Sequence, residues 1–428
     1  MIGGMLSQNI LNLVDTLMIG QLGALALSGS GIGAFIYYVL FIGFIGLSSG
    51  VQTMVARFKG ANTPALFSIP LMLGLAISIT LAIGITLITL QISEGVTALF
   101  SNDSLVSTIG NDYLSTRILG LPFFAICLII RGFWNGLSQP LRYLMVIMVI
   151  HATNILFNYM FIFGRFGAPE MGASGAGLAS SLSLMLGAII YLFDSRAFIN
   201  VNHSISQMRA NGRWLANLSI PIAIQQIIHA SGVLLLYWII GQLGSNALAI
   251  GHVLINIALI AILPGVALGM TTMTLVSESL GNDQVQLAHQ WPTHVQGIGK
   301  WMIGFFSLIV IGAPSLILRP FVSDPTLLSL AVPLLRIDAL TVFFEMGAII
   351  YMHALTGADQ TKIVAWGSTL LQWGLYLPLA YWTGVHLSLG MMGIWITTLM
   401  FQLLQWVIFK HLWKHRFNRF VQPQFTAK

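Results

Sequence analysis

The pentapeptide IGQLG stands at residues 19–23, within DTLMIGQLGALAL (15–27), and again at 240–244, within YWIIGQLGSNALA (237–249), an offset of 221. At the same offset Ala26 and Leu27 match Ala247 and Leu248. Gly60 matches Gly281, and Gly136 of WNGLSQP matches Gly357 of LTGADQT. Agreement at one offset across several hydrophobic segments reads as an internal duplication. The composition says what kind of unit is duplicated. Of 428 residues, 57% are apolar and 7% are charged, where soluble domains carry about 25% charged residues. Eighteen Lys and Arg with twelve Asp and Glu cannot cover a soluble globule of this size. An ordinary cytosolic enzyme, a disordered chain and a secreted disulfide scaffold are thereby excluded. The single Cys127 forms no internal disulfide. The net charge of +6 comes with no groove-reading basic element, so nucleic acid is not an expected partner.

Such a chain reads as an all-α polytopic membrane protein, because helices satisfy their own backbone within lipid. About twenty residues of helix cross the hydrocarbon core. Twelve such spans are expected, near 1–20, 31–55, 66–91, 118–138, 142–163, 174–193, 214–240, 247–275, 301–318, 331–355, 363–384 and 388–410. The first begins at Met1 with almost no polar lead-in, so its start is expected to be clipped. No cleavable signal peptide is expected. The offset divides the spans into two six-helix lobes. These are an N-lobe at 1–193, a polar cytoplasmic linker at 194–213, a C-lobe at 214–410 and a basic tail at 411–428. An even six-span period makes the repeats parallel. With both termini cytoplasmic, the inner segments hold thirteen basic residues and the outer ones four, namely Arg117, Arg165, Arg319 and Arg336.

Ionisable groups at membrane depth are costly and therefore point to function. Asp15 lies in the first span near Asn9 and Asn12. It reads either as a local cap or as a carboxylate that binds a cation or proton. Asn154 and Asn158, four apart on one face, and Ser180 in GASGAGLASS add oxygen ligands for a hard cation. Asp338 and Glu345, seven apart, share a face of the tenth span. Glu345 reads as a proton carrier, a site for a cationic substrate, or a silent partner of His353. His229, His252 and His151 also lie at depth, and Arg131 is expected to snorkel or to pair with a carboxylate. No phosphate loop, metalloprotease motif or nucleophile elbow occurs.

These residues resemble the multidrug and toxic compound extrusion (MATE) family, in its NorM-like branch. The resemblance rests on NLVDTLMIGQLGALALSG, SSGVQTMVARFKGAN, RGFWNGLSQP, NILFNYMFIFGRFGAPEMGASGAGLASS and LGSNALAIGHV. It implies twelve helices in a V of two lobes and an antiporter that expels cationic or amphiphilic drugs and dyes against Na+ or H+. No other cofactor is implied. It assigns the coupling site to Asp15, Asn154, Asn158 and Ser180, as a proton or Na+ site. A C-lobe substrate or proton site falls to Glu345, Asp338, His229 and His252. His229 stands where many members have a Glu, which weakens a C-lobe Na+ site. The implied setting is the inner membrane of a bacterium, with the chain a monomer among membrane lipid. Two rivals are a flippase for lipid-linked sugars and an intramembrane enzyme or non-transporting subunit. The first would need more basic residues at depth than Arg131, and the second a catalytic constellation.

Overall fold

The computed structural model describes residues 2–101, 103–199, 203–322 and 324–425. It falls into two compact units, Met1–Ala223 and Ile224–Lys428. The first is built from α1 (Ile2–Gly20), α2 (Ala24–Phe41), α3 (Phe44–Gly60), α4 (Ser68–Ala98), α5 (Ser104–Ile118), α6 (Leu121–Gly136), α7 (Pro140–Phe163) and α8 (Gly172–Ser195). α9 (Ile205–Gly241) carries the chain into the second unit. There α10 (Ser245–Gly281), α11 (Val285–Gly312), α12 (Pro314–Leu318) and α13 (Pro325–Gly357) follow. α14 (Thr361–Thr369), α15 (Leu377–Tyr381) and α16 (Gly390–Phe425) complete it. Two π-helical stretches, Leu370–Tyr376 and Trp382–His386, flank α15. Met1 and residues 426–428 of the expected tail lie outside the described residues, as does the Asn9 side chain.

Among the described residues nine helical stretches are long and apolar enough to cross a bilayer, with α2 and α3 taken as one. The bent pair α5–α6 makes a tenth. The expected spans at 1–20 and 363–384 are helical as α1 and as the α14–α15 series. Two expectations need correction. The span placed at 118–138 begins at Ser104 and bends by 50° between Ile118 and Leu121. Pro122, which lacks an N–H, sits in the first turn after the bend. Arg117, read as a loop residue, is therefore in the last turn of α5. The span placed at 301–318 begins at Val285, because His289, Gln290, His294 and Lys300 dilute its hydropathy without interrupting the helix. Arg336 likewise sits on α13, where its Nε donates to the Ile311 carbonyl.

The duplication is written into the backbone turn by turn. Gly23 and Gly244 have φ of 104° and 103°, a region that only glycine enters freely. Asn62 and Asp283 share the left-handed region at 54° and 56°, and Ser138 and Asp359 at 61° and 62°. Asp103 caps α5 by accepting from the Leu105 N–H at 2.9 Å. Asp324, 221 residues on, caps α13 by accepting from the Thr326 N–H at 2.7 Å. Gly136 ends α6 and Gly357 ends α13. The path of α5–α6 is thus repeated by α13, bent in one unit and continuous in the other.

Close helix contacts repeat as well. A Cβ on Gly136 would lie 2.7 Å from the Gln52 carbonyl, and a Cβ on Gly357 2.6 Å from the Met273 carbonyl. One turn earlier the sizes are exchanged. In the first unit Gly132 abuts the Ser48 carbonyl, whereas in the second Gly269 faces His353, with a Cβ there 2.8 Å from Nδ1. Small residues that bring helix backbones together are the usual means of association in lipid. Above these seams lie apolar cores, with Val51, Met54, Ile129 and Phe133 fully buried in one unit and Tyr351, Leu355 and Phe409 in the other.

Candidate functional site

In the first unit α1, α7 and α8 bring together the four N-lobe candidates. Asn158 Nδ2 donates to Asp15 Oδ1 at 2.6 Å and to Asn154 Oδ1 at 3.1 Å. Asn154 Nδ2 donates to Ser180 Oγ at 3.1 Å. The spacing of four along α7 aligns the two amides, and both are buried. The small residues at the start of α8 let it approach α7: a Cβ on Gly175 would lie 2.5 Å from the Phe161 carbonyl. Asn12 belongs elsewhere, since its side-chain oxygen accepts from Gln8 on an exposed face.

The inner geometry is unusual. The amide atom of Asn154 that faces Asp15 lies 2.9 Å from Asp15 Oδ1, whichever way round the amide is placed. Three atoms, one each from Asp15, Asn154 and Asn158, therefore form a ring with sides of 2.6, 2.9 and 3.1 Å. With Asn154 Nδ2 inward, both amides donate to Asp15 Oδ1 and the Asn154 oxygen accepts from Ser180, an arrangement that suits a charged carboxylate. With Asn154 Oδ1 inward, two oxygens meet, an arrangement that suits a protonated carboxyl donating to Asn154 or a cation seated between the oxygens. The Asn158 Oδ1, buried without a partner, is a further ligand for such an ion.

A cationic group shares this interior. Arg117 on α5 acts electrostatically on Asp15. Its guanidinium carbon lies 4.4 Å from the centre of the Tyr37 ring. Ser181, next to Ser180, donates to the Arg117 carbonyl at 3.1 Å and to the Thr116 carbonyl at 2.8 Å, tying α5 to α8. The sequence reading missed this residue.

In the second unit the four candidates divide among three groups. Asp338 and Glu345 share α13 with Tyr376 in their field, and Asp338 Oδ2 and Trp395 Nε1 are both buried without a hydrogen-bond partner. Tyr376 is bonded to Thr398 at 2.9 Å and stacks on Phe401. His353 does not pair with Glu345; its Nδ1 faces the Ile349 carbonyl at 2.9 Å. His229 is held by Gln372, with Nδ1 to Oε1 at 3.1 Å, and Gln372 Nε2 donates back to the His229 carbonyl at 3.2 Å. Gln372 lies in a π-helical turn, a widening that often marks functional positions. Gly232 leaves the space that the amide occupies. His252 sits between Tyr237 and Asn256, at 3.4 and 3.2 Å. Tyr237, Trp238, Gln242 and His252 line a cavity of about 830 Å³. Elsewhere, His151 is buried with both ring nitrogens unpartnered. Arg131 lies 5.8 Å over the Tyr143 ring.

Gln372→Leu removes both bonds to His229 and leaves its ring Nδ1 at depth without a partner. A cost of about 1–3 kcal/mol is expected, read as a lower Tm of the purified protein in detergent.

Two repeated helical bundles with polar clusters at depth have the architecture of a polytopic membrane protein. The chain belongs to the MatE family, whose model matches residues 1–160 and 221–382. It is similar to the multidrug resistance protein NorM of Burkholderia vietnamiensis, 27% identical over 401 residues that span 91% of this chain and 86% of that protein. A probable NorM of Burkholderia mallei is 25% identical over 399 residues, spanning 91% and 85%. In fold the chain is similar to an outward-facing multidrug resistance MATE family transporter of the MOP superfamily. The TM-score is 0.91 at 16% identity, over 99% of this chain and 94% of that one.

Proposed function

We propose that the chain is a secondary multidrug efflux antiporter that exports lipophilic cations against an inward flow of Na+ or H+ by alternating access. The NorM-named relatives support the substrate class. The observation that carries the coupling is the buried cluster of Asp15, Asn154 and Asn158, whose amides can turn donors to a bare carboxylate or oxygens to a proton or a cation. Both ions fit, and the oxygens of Asp15, Asn154, Asn158 and Ser180 suit Na+. Binding neutralises the carboxylate and favours one arrangement of α1 against α7 and α8. Export follows if ion and drug prefer opposite states, since equal preference moves nothing. A potential of 100 mV supplies about 2.3 kcal/mol per charge.

In the C-lobe, Asp338 and Glu345 offer negative charge to a cationic drug or a proton. The cavity at Tyr237, Trp238 and His252 offers ring faces to a flat cation. The chain is placed in a bacterial inner membrane as a monomer among lipid, with both termini cytoplasmic on the excess of basic residues in the inner segments.

The test is ethidium efflux from proteoliposomes under an imposed Na+ gradient and, separately, a pH gradient. Efflux is expected with one gradient and is lost when an ionophore collapses that gradient. If neither gradient moves dye, the efflux reading fails and translocation of a lipid-linked sugar is the reading to test.

A further inference from the structure

Arg117 places a permanent cation inside the N-lobe, beyond anything that ion coupling at Asp15 requires. Three observations fix its setting. Its Nη1 is buried without a hydrogen-bond partner. Its guanidinium rests on Tyr37 and against the Tyr113 hydroxyl. Its backbone carbonyl is bonded by Ser181, adjacent to the Ser180 of the Asp15 cluster. Asp15 takes its hydrogen bond from Asn158 and feels Arg117 through space.

The repeat sharpens the point. Arg117 plus the offset of 221 is Asp338, and the caps Asp103 and Asp324 and the terminal Gly136 and Gly357 keep the register on both sides. At one structural position the C-lobe therefore has an acid beside Glu345, and the N-lobe has a base beside Asp15. The N-lobe thus sets a cation against its acid, where the C-lobe sets one acid near another.

We propose that Arg117 is a tethered counter-ion for Asp15. It balances the carboxylate while the coupling ion is absent, and the arriving ion binds in competition with its field. This inference rests on the reading of Asp15 as the coupling acid. Its consequence is a lower ion affinity than the oxygen ligands alone would give, in exchange for a carboxylate that can cross between states unloaded. Charges in a protein interior are weakly screened, and an effect on ion affinity of about tenfold is expected.

The experiment is a titration of intrinsic tryptophan fluorescence in purified protein, with Na+ at fixed pH and with acid in Na+-free buffer. Arg117→Gln is expected to lower the half-saturating ion concentration about tenfold and to slow gradient-driven efflux. Arg117→Lys keeps the charge but not the flat contact with Tyr37, so its shift should be smaller. An unchanged half-saturation in Arg117→Gln, with the wild-type signal abolished by Asp15→Asn, overturns the inference and leaves the Asp15 reading standing. A wild-type titration that Asp15→Asn does not alter overturns the Asp15 reading itself, and the inference with it. Should Arg117→Gln not fold, Arg117→Met takes its place, keeping length without charge; an unchanged half-saturation there is a refutation.

Discussion

Asp15→Asn is expected to abolish gradient-driven efflux while leaving the protein folded. The substitution keeps size and hydrogen-bonding capacity at a half-buried position on α1. An amide there takes up no proton, so Asn154 and Asn158 no longer face a group that switches between charged and neutral. It also removes the negative charge that draws a cation to the site. Breaking a buried charge pair costs about 3–5 kcal/mol, so ion affinity should fall by at least about 100-fold. The measurement is ethidium efflux in proteoliposomes alongside Tm. A variant that still responds to the gradient within about threefold of wild type would remove Asp15 from the coupling site. Asn158→Leu should act in the same direction but less, since it spares the charge.

Gly132→Val is expected to be the most damaging packing change in the N-lobe. Its new side chain would meet the Ser48 carbonyl, a backbone atom. Ser48 cannot turn aside, because its Oγ is bonded to the Leu128 carbonyl at 2.6 Å on the helix it faces. Overpacking costs about 1–3 kcal/mol where neighbours can give, and here a whole helix must move. Loss of the monodisperse peak in detergent, or a drop in Tm of many degrees, is the expected readout. The repeat supplies the control. At the matching seam Gly269 faces the His353 ring rather than backbone, so Gly269→Ala should cost less than Gly132→Ala. Equal effects would mean that the two seams are packed alike despite the exchange of sizes.

The span pattern and the repeat were legible because both are one-dimensional signals. Hydropathy persists over twenty residues, and identical turn residues recur at a fixed offset. Asp15, Asn154, Asn158 and Ser180 were legible because polar groups stand out in apolar runs, and the structure brings those four into one bonded network. Arg117 was not. Its own charge ended the apolar window, so the span seemed to begin one residue after it. Gln372 was hidden for another reason. Its meeting with His229 depends on a π-helical turn, which no periodicity of 3.6 anticipates. The His229, His252 and Glu345 grouping was too coarse, since residues on three helices share a lobe without sharing a bond.

The bend between α5 and α6 has no counterpart in α13. Two halves that trace the same path thus differ in stiffness. α13 runs on as one helix of 33 residues, with Pro333 inside it. The pair α5–α6 is jointed at Leu119 and Gly120, two and three residues beyond Arg117. Torque applied at the ion site can be absorbed as an elbow angle in one half and only as flexing of a continuous helix in the other. A side chain at Gly120 would press on Ser181, next to the Ser180 of the ion cluster, so the elbow and the ion site would register the change together.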